Sequence, residues 1–378
     1  MKSNKTKRKL NLTWSLLLLL ILVINYSCSK DDTLEDIIDS SSSIKIEQAD
    51  KAFFSQIKKA GVEYDKNEIW NGYTFSSTPM YFIFRDKDKK AVRGYLINPP
   101  KAIIGATKIT GDNAQGLNVY RYDKDAKKLN EDLKKGNDAY TFDFVIDGTK
   151  YYGQEYTEKS VNDKLNGAIL LGTHEVFHTF QFKNWTLKQS AIQDEKNYPI
   201  NKDLLALQIM TLKIAAKMPK ITDKAEVKKY LKMYVAIRAK ELKTDPSSQK
   251  LVLNMANEQE NGEGTARYVE TMVGYKIISD FKATFGGGEN TSELTKKEDV
   301  RQFFAFGIWY STGGAVTYML KNQGLKIEET VAKGKTLYDI AKEYVNLTDV
   351  QLATAFQNAK TEFGWDAIQK EAKRLADL

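Results

Sequence analysis

The chain has 378 residues, 42% of them hydrophobic and 11% aromatic. That is enough apolar surface for one large core or two smaller ones, which excludes a disordered chain. The formal charge of +8 falls to +3 once Lys2, Lys5, Lys7, Arg8 and Lys9 of the first 27 residues are set aside. The remaining lysines alternate with Asp and Glu as solvated faces do, so composition makes no case for nucleic-acid binding.

In chain order, the first segment reads as an export signal. Lys2 to Lys9 form a basic stretch, Leu16 to Ile24 an apolar run, and Asn25-Tyr26-Ser27-Cys28 follow. The apolar run falls short of the roughly 20 residues that span a bilayer. Small Ser27 before Cys28 resembles the lipobox of bacterial lipoproteins, and Ser29-Lys30-Asp31-Asp32 is similar to the export signal of surface lipoproteins of Bacteroidota. The resemblance implies that residues 1–27 are a signal peptide and that Cys28 is lipidated. It places the protein at the outer membrane, surface-exposed and attached to the membrane only through that lipid. Cys28 is the only cysteine, so its modification leaves no thiol for a disulfide or a metal. Residues 28–43, acidic and ending in Ser40-Ser41-Ser42-Ser43, have the composition of a flexible tether.

The folded part begins near Ile44. Up to about Tyr156 the text is short, aromatic and β-branched. Tyr73-Thr74-Phe75, Met80 to Phe84, Val92 to Ile97 and Tyr140 to Ile146 are separated by turn-rich stretches such as Asp147-Gly148. A small antiparallel sheet with a helix or two is expected over residues 44–156. From Thr157 the period becomes helical: Leu165, Ile169, Gly172 and Val176 step by four, three and four along one apolar face. Further helices are expected over 204–217, 225–243, 249–280, 301–321 and the last 50 residues, giving an α+β chain. Gly286-Gly287-Gly288 lacks the Lys-Ser/Thr of a phosphate loop and reads as a hairpin or linker.

The only two histidines belong to His174-Glu175-Val176-Phe177-His178. Positions i and i+4 share a helix face, so both imidazoles can reach one tetrahedral cation. Glu175, rotated about 100° from His174, can act on a water at that cation as general base. With no other histidine and no free thiol, the third ligand must be an oxygen. The best source is the segment Glu258 to Glu270, where Glu260, Glu263 and Glu270 are spaced to share one helical face. Small Gly264 and Ala266 would let that helix pack closely against another.

These two stretches resemble the gluzincin group of zinc metallopeptidases, with His-Glu-x-x-His on one helix and a glutamate ligand on a second. The resemblance covers about residues 156–321. It implies a mainly helical zincin-like catalytic region over 157–378, with an insertion at about 186–248. It further implies Zn2+ as cofactor, His174, His178 and Glu263 as ligands, and a peptide or protein as substrate. Glu263 leads an Glu-Gly-x-Ala-x-Tyr stretch; Glu270 is the alternative ligand, or else orients an imidazole. Tyr310, in Tyr-Ser-Thr-Gly-Gly-Ala, resembles the tyrosine that faces the substrate carbonyl in some gluzincins, and a phenol there can donate to an oxyanion. Two other readings stay open at this point: a surface binding or uptake lipoprotein with a structural or vestigial metal, and a zinc hydrolase of a non-peptide amide or glycan.

Overall fold

The computed structural model describes residues 44–186, 195–286 and 290–378. The signal peptide, Cys28 and the tether lie outside the described residues, as do Gly287, Gly288 and residues 187–194 of the expected insertion. Helix α1 (Gln48–Asp65) turns Phe53, Phe54, Ile57, Ala60 and Tyr64 inward at helical spacing. Asp50 is buried on the same face and accepts from Tyr156 Oη (2.6 Å), Tyr95 Oη (2.7 Å) and Arg93 Nε (2.7 Å). A buried carboxylate survives only when so paired, and this one pins the helix to the strands beneath it.

Those strands are β1 (Met80–Arg85), β2 (Ala91–Ile97), β3 (Thr107–Lys108), β4 (Val119–Arg121), β5 (Tyr140–Ile146) and β6 (Thr149–Tyr156), in the spatial order β3-β4-β2-β1-β6-β5. Helix α2 (Ala126–Gly136) presses Ala126, Leu129 and Leu133 onto Tyr81, Ile83, Leu96 and Tyr151 of the sheet. The expected strands at 80–84, 92–97 and 140–146 are present. Two expectations differ. Tyr73-Thr74-Phe75 is irregular, and its rings are buried against Tyr64 (4.9 and 5.6 Å between centroids), so its aromatic character serves packing rather than pairing. The sheet is mixed, because β1 runs parallel to β6. Strand β6 is entered from β5 through Asp147-Gly148, both with positive φ (47° and 73°), the backbone of a tight two-residue hairpin. That reversal aims β6 alongside β1 and leaves β5 as the edge strand.

Helices α3 (Glu158–Asn162) and α4 (Ala168–Asn184) follow. Helix α4 starts later than the apolar spacing suggests. The Asp163 carboxylate accepts from the N–H groups of Leu165 and Asn166 (2.9 Å each), closing a turn, and Gly167 packs so tightly that a Cβ would lie 2.3 Å from the Asp163 carbonyl. Leu165 therefore stands outside the helix, 53% exposed, and is no part of its apolar face. From Ala168 on, α4 is a buried helix, docked on β6 where Gln154 Nε2 donates to the Ala168 carbonyl (2.9 Å).

The helical remainder comprises α5 (Lys202–Ala215), α6 (Lys224–Thr244), α7 (Leu251–Gln259), α8 (Thr265–Ile277), α9 (Lys297–Gln302), α10 (Ile308–Asn322), α11 (Glu328–Ala332), α12 (Leu337–Val345), α13 (Asp349–Phe363) and α14 (Trp365–Ala376). Two π turns interrupt it, Glu260–Gly264 between α7 and α8 and Phe303–Gly307 between α9 and α10. The fold is α+β, with sheet and helices in one compact unit from Ile46 to Leu378. Among the described residues no helix is long and apolar enough to cross a membrane.

Candidate metal centre

Helix α4 carries two faces with different duties. Phe177, fully buried, packs edge-on against Trp70 (5.2 Å) and Tyr73 (5.0 Å), which fixes the helix rotation. His174 and His178 then point together at the segment joining α7 to α8. Their Nε2 atoms lie 3.2 and 3.1 Å from the same Glu263 oxygen.

Glu260, Glu263 and Glu270 do not share one face, contrary to the expectation from their spacing. The π turn at Glu260–Gly264 winds fewer degrees per residue than an α-helix, so residues three apart no longer align. Glu260 turns into the core, where Arg238 Nη2, Tyr234 Oη (2.8 Å) and Thr312 Oγ1 donate to it. Glu263 meets both imidazoles. Glu270 lies behind His174, its Oε2 3.0 Å from Nδ1, while its other oxygen takes Arg267 Nη1 (2.8 Å).

The π turn can sit where it does because α10 comes close. A Cβ on Gly264 would lie 2.4 Å from Gly313 Cα, and one on Gly313 would lie 2.7 Å from Glu260 Cα. Only two glycines permit this approach. It also brings Tyr310, one turn before Gly313, to stack its ring on His174 (5.8 Å between centroids, 12° between planes).

Each imidazole is held from behind. Gln181 donates through Nε2 to the Gly262 carbonyl (2.9 Å) and to Thr265 Oγ1 (2.8 Å), so its Oε1 must face His178 Nδ1, at 2.6 Å. An acceptor at Nδ1, from Gln181 for His178 and from Glu270 for His174, puts the proton there and leaves the Nε2 lone pair for a cation.

The charges agree with this. Burial alone would disfavour a charged His174, but hydrogen bonds to Glu263 and Glu270 outweigh it and push its pKa up to about 10. Burial works against ionised Glu263 too, and hydrogen bonds from both imidazoles reverse this and hold its carboxyl well below the usual range. The pocket therefore stabilises positive charge beside Glu263, whether as protons or as a metal ion. The three ligand atoms lie within 4.8 Å of one another, and His174, His178 and Glu263 can hold a metal ion. Two imidazole nitrogens and one carboxylate oxygen would be the atoms that hold such an ion.

Glu175 is 6% exposed, and burial raises its pKa despite the neighbouring imidazoles. Tyr310 and Tyr140 flank the cluster. Burial raises both phenols, Glu263 adding to the first and Glu175 to the second. In front of them opens a cleft of about 560 Å3, lined by Glu175, His178, Glu263, Tyr140 and Tyr310 among others. Of the residues expected from the sequence, the structure brings His174, Glu175, His178, Glu263 and Tyr310 together, all but His174 lining the cleft, and puts Glu270 behind His174. Gln181 was not expected at the site, although its place three residues after His178 on the same helix is a usable signal. Nor was Tyr140, which reaches the site from β5 only through the fold. Comparisons with family models, curated proteins and solved structures found no match to this chain.

Proposed function

We propose that the chain is a zinc metallopeptidase of gluzincin type, hydrolysing peptide bonds in the cleft before His174, His178 and Glu263. The observation that carries this is the convergence of two Nε2 atoms on one Glu263 oxygen, each imidazole anchored at Nδ1, with buried Glu175 alongside. Zinc bound there would supply a Lewis acid and lower the pKa of its water. Glu175 takes the proton of the attacking water and returns it to the leaving amine; its raised pKa suits both halves of that task. Tyr310, kept neutral by burial, donates to the oxyanion without adding charge. A purely structural zinc would close its fourth position with Cys or His, and the sequence offers no third histidine and only Cys28. We further propose attachment to the outer membrane through lipid on Cys28; Cys28→Ala should move the protein to the soluble fraction, and unchanged fractionation would count against lipidation.

The test of the activity is cleavage of an unbiased peptide library by zinc-loaded wild type and Glu175→Gln. Both should hold equal zinc and only the wild type should cut. Zinc bound with no cleavage by either would sink the peptidase reading.

A further inference from the structure

Strand β5 serves two sides of the sheet. In a regular strand alternate residues share a face, so Tyr140, Phe142, Phe144 and Ile146 would all stand on one side. They do not. Phe144 and Ile146 pack with Leu129 and Leu133 of α2, whereas Tyr140 and Phe142 line the cleft. The register explains the change: Thr141 pairs with Gly153 and Phe144 with Tyr151, so Phe142 and Asp143 together stand opposite Tyr152. One extra residue makes a β-bulge, which re-aims the side chains before it. Phe142 accordingly meets the His178 ring edge-on (6.4 Å, 84°).

Tyr140 is held on that side by rings. It stacks on Tyr152 (6.3 Å between centroids, 28° between planes) and meets Phe142 edge-on (5.4 Å, 68°). The Tyr152 hydroxyl is already engaged: it donates to Gln154 Oε1 (2.7 Å), whose Nε2 donates to the Ala168 carbonyl at the start of α4. The Tyr140 hydroxyl instead comes within hydrogen-bonding reach of the Glu175 carboxylate. A protonated phenol beside an ionised carboxylate can only donate to it. The last torsion of a glutamate is broad, so an unheld carboxylate takes many orientations. With one oxygen held from β5, the other is left for a water at the cation site.

We propose that Tyr140 is a positioning residue for Glu175: the bulge in β5 brings its hydroxyl to the carboxylate and fixes one oxygen, so that the other faces the cation site. The sheet thereby orients a general base that a helix carries. This rests on the peptidase reading above and adds to it a residue that lies outside the His-Glu-x-x-His stretch.

The experiment compares the full chain with Tyr140→Phe, which keeps the ring and its contacts and loses only the hydroxyl. With zinc bound and a peptide that the wild type cuts, kcat should fall by about 10–100-fold while KM, zinc content and melting temperature stay nearly unchanged. Crystals of the metal-free proteins give a readout independent of activity: Glu175 should hold a single orientation in the wild type and lose it in Tyr140→Phe. Tyr152→Phe, which removes the phenol bound to Gln154, should lower the melting temperature and leave kcat unaltered. Wild-type kcat in Tyr140→Phe overturns this proposal alone. So does an unchanged Glu175 orientation in its crystals, or an equal loss of kcat in Tyr152→Phe, which would make the effect one of the sheet at large. No cleavage of any peptide by zinc-loaded wild type overturns the peptidase reading and this proposal with it.

Discussion

Two buried charge clusters hang on the same π turn, and they differ in what closes them. Glu260 is turned to Arg238, whose other arm takes Glu241, with Tyr234, Thr211 and Thr312 adding hydrogen bonds; Arg238, Glu241 and Glu260 are 2%, 0% and 2% exposed. Glu263, three residues on, faces two imidazoles, and its side chain keeps 23% of its surface open. The first cluster meets both carboxylates with protein donors, with Arg238 Nε buried and unpaired, and is suited to holding the turn. The second gathers donors beside a cleft and leaves room for a cation and a substrate. Proximity of carboxylates in sequence does not separate these roles; what lies opposite each one does.

The comparison can be broken most severely on its closed side. Arg238→Met leaves Glu241 and Glu260 buried without their cation and should cost about 3–5 kcal/mol of stability, read from denaturant melts. An effect under about 1 kcal/mol would mean that Arg238 is not what holds the turn. On the open side the same severity should fall on rate. Tyr310→Phe should lower kcat by about a hundredfold while the melting temperature and zinc content stay put, and unaltered kcat would remove the phenol from the chemistry. Smaller still, Gln181→Ala should weaken zinc binding by about 10–100-fold through a freed His178, measurable by competition with a chelating dye; unchanged affinity would show that the Nδ1 anchor is dispensable.

An exposed pair sets the floor. Hydrogen bonds from Lys229 and Tyr230 hold the Glu362 carboxyl down to about 2, from 4.5. A folded pKa below the unfolded one gives stability that is complete above about pH 4.5 and lost as the pH falls towards 2. Glu362→Gln should therefore lower stability slightly at neutral pH, where that contribution is complete, and leave it unchanged near pH 2, so that the acid limb is shallower. Solvent screening keeps this the smallest of the four effects. A loss as large as that of Arg238→Met would erase the distinction between buried and exposed charge drawn here.

Much of the site was legible because helical geometry alone links His174 to His178, and because a chain with two histidines has few ways to complete a metal centre. Strands such as Met80–Arg85 and Tyr140–Ile146 were legible from aromatic and β-branched runs. The parallel pairing of β1 with β6 was not, since strand direction is set by connections rather than by side-chain alternation. Nor was the inward turn of Glu260. A π turn leaves no mark in residue spacing, and Arg238, the group that fixes Glu260, lies on another helix. Tyr140, on edge strand β5, becomes a cleft residue only through the fold.

The central claim is that Glu263, and not Glu260 or Glu270, completes the metal centre. Titration of zinc into wild type, Glu263→Ala and Glu270→Ala tests it most directly, with binding heat and melting temperature read together. The account predicts one zinc per wild-type chain with a rise in melting temperature, near-complete loss of both in Glu263→Ala, and affinity weakened by about 10–100-fold in Glu270→Ala. Normal zinc binding by Glu263→Ala, with loss in Glu270→Ala instead, would contradict it.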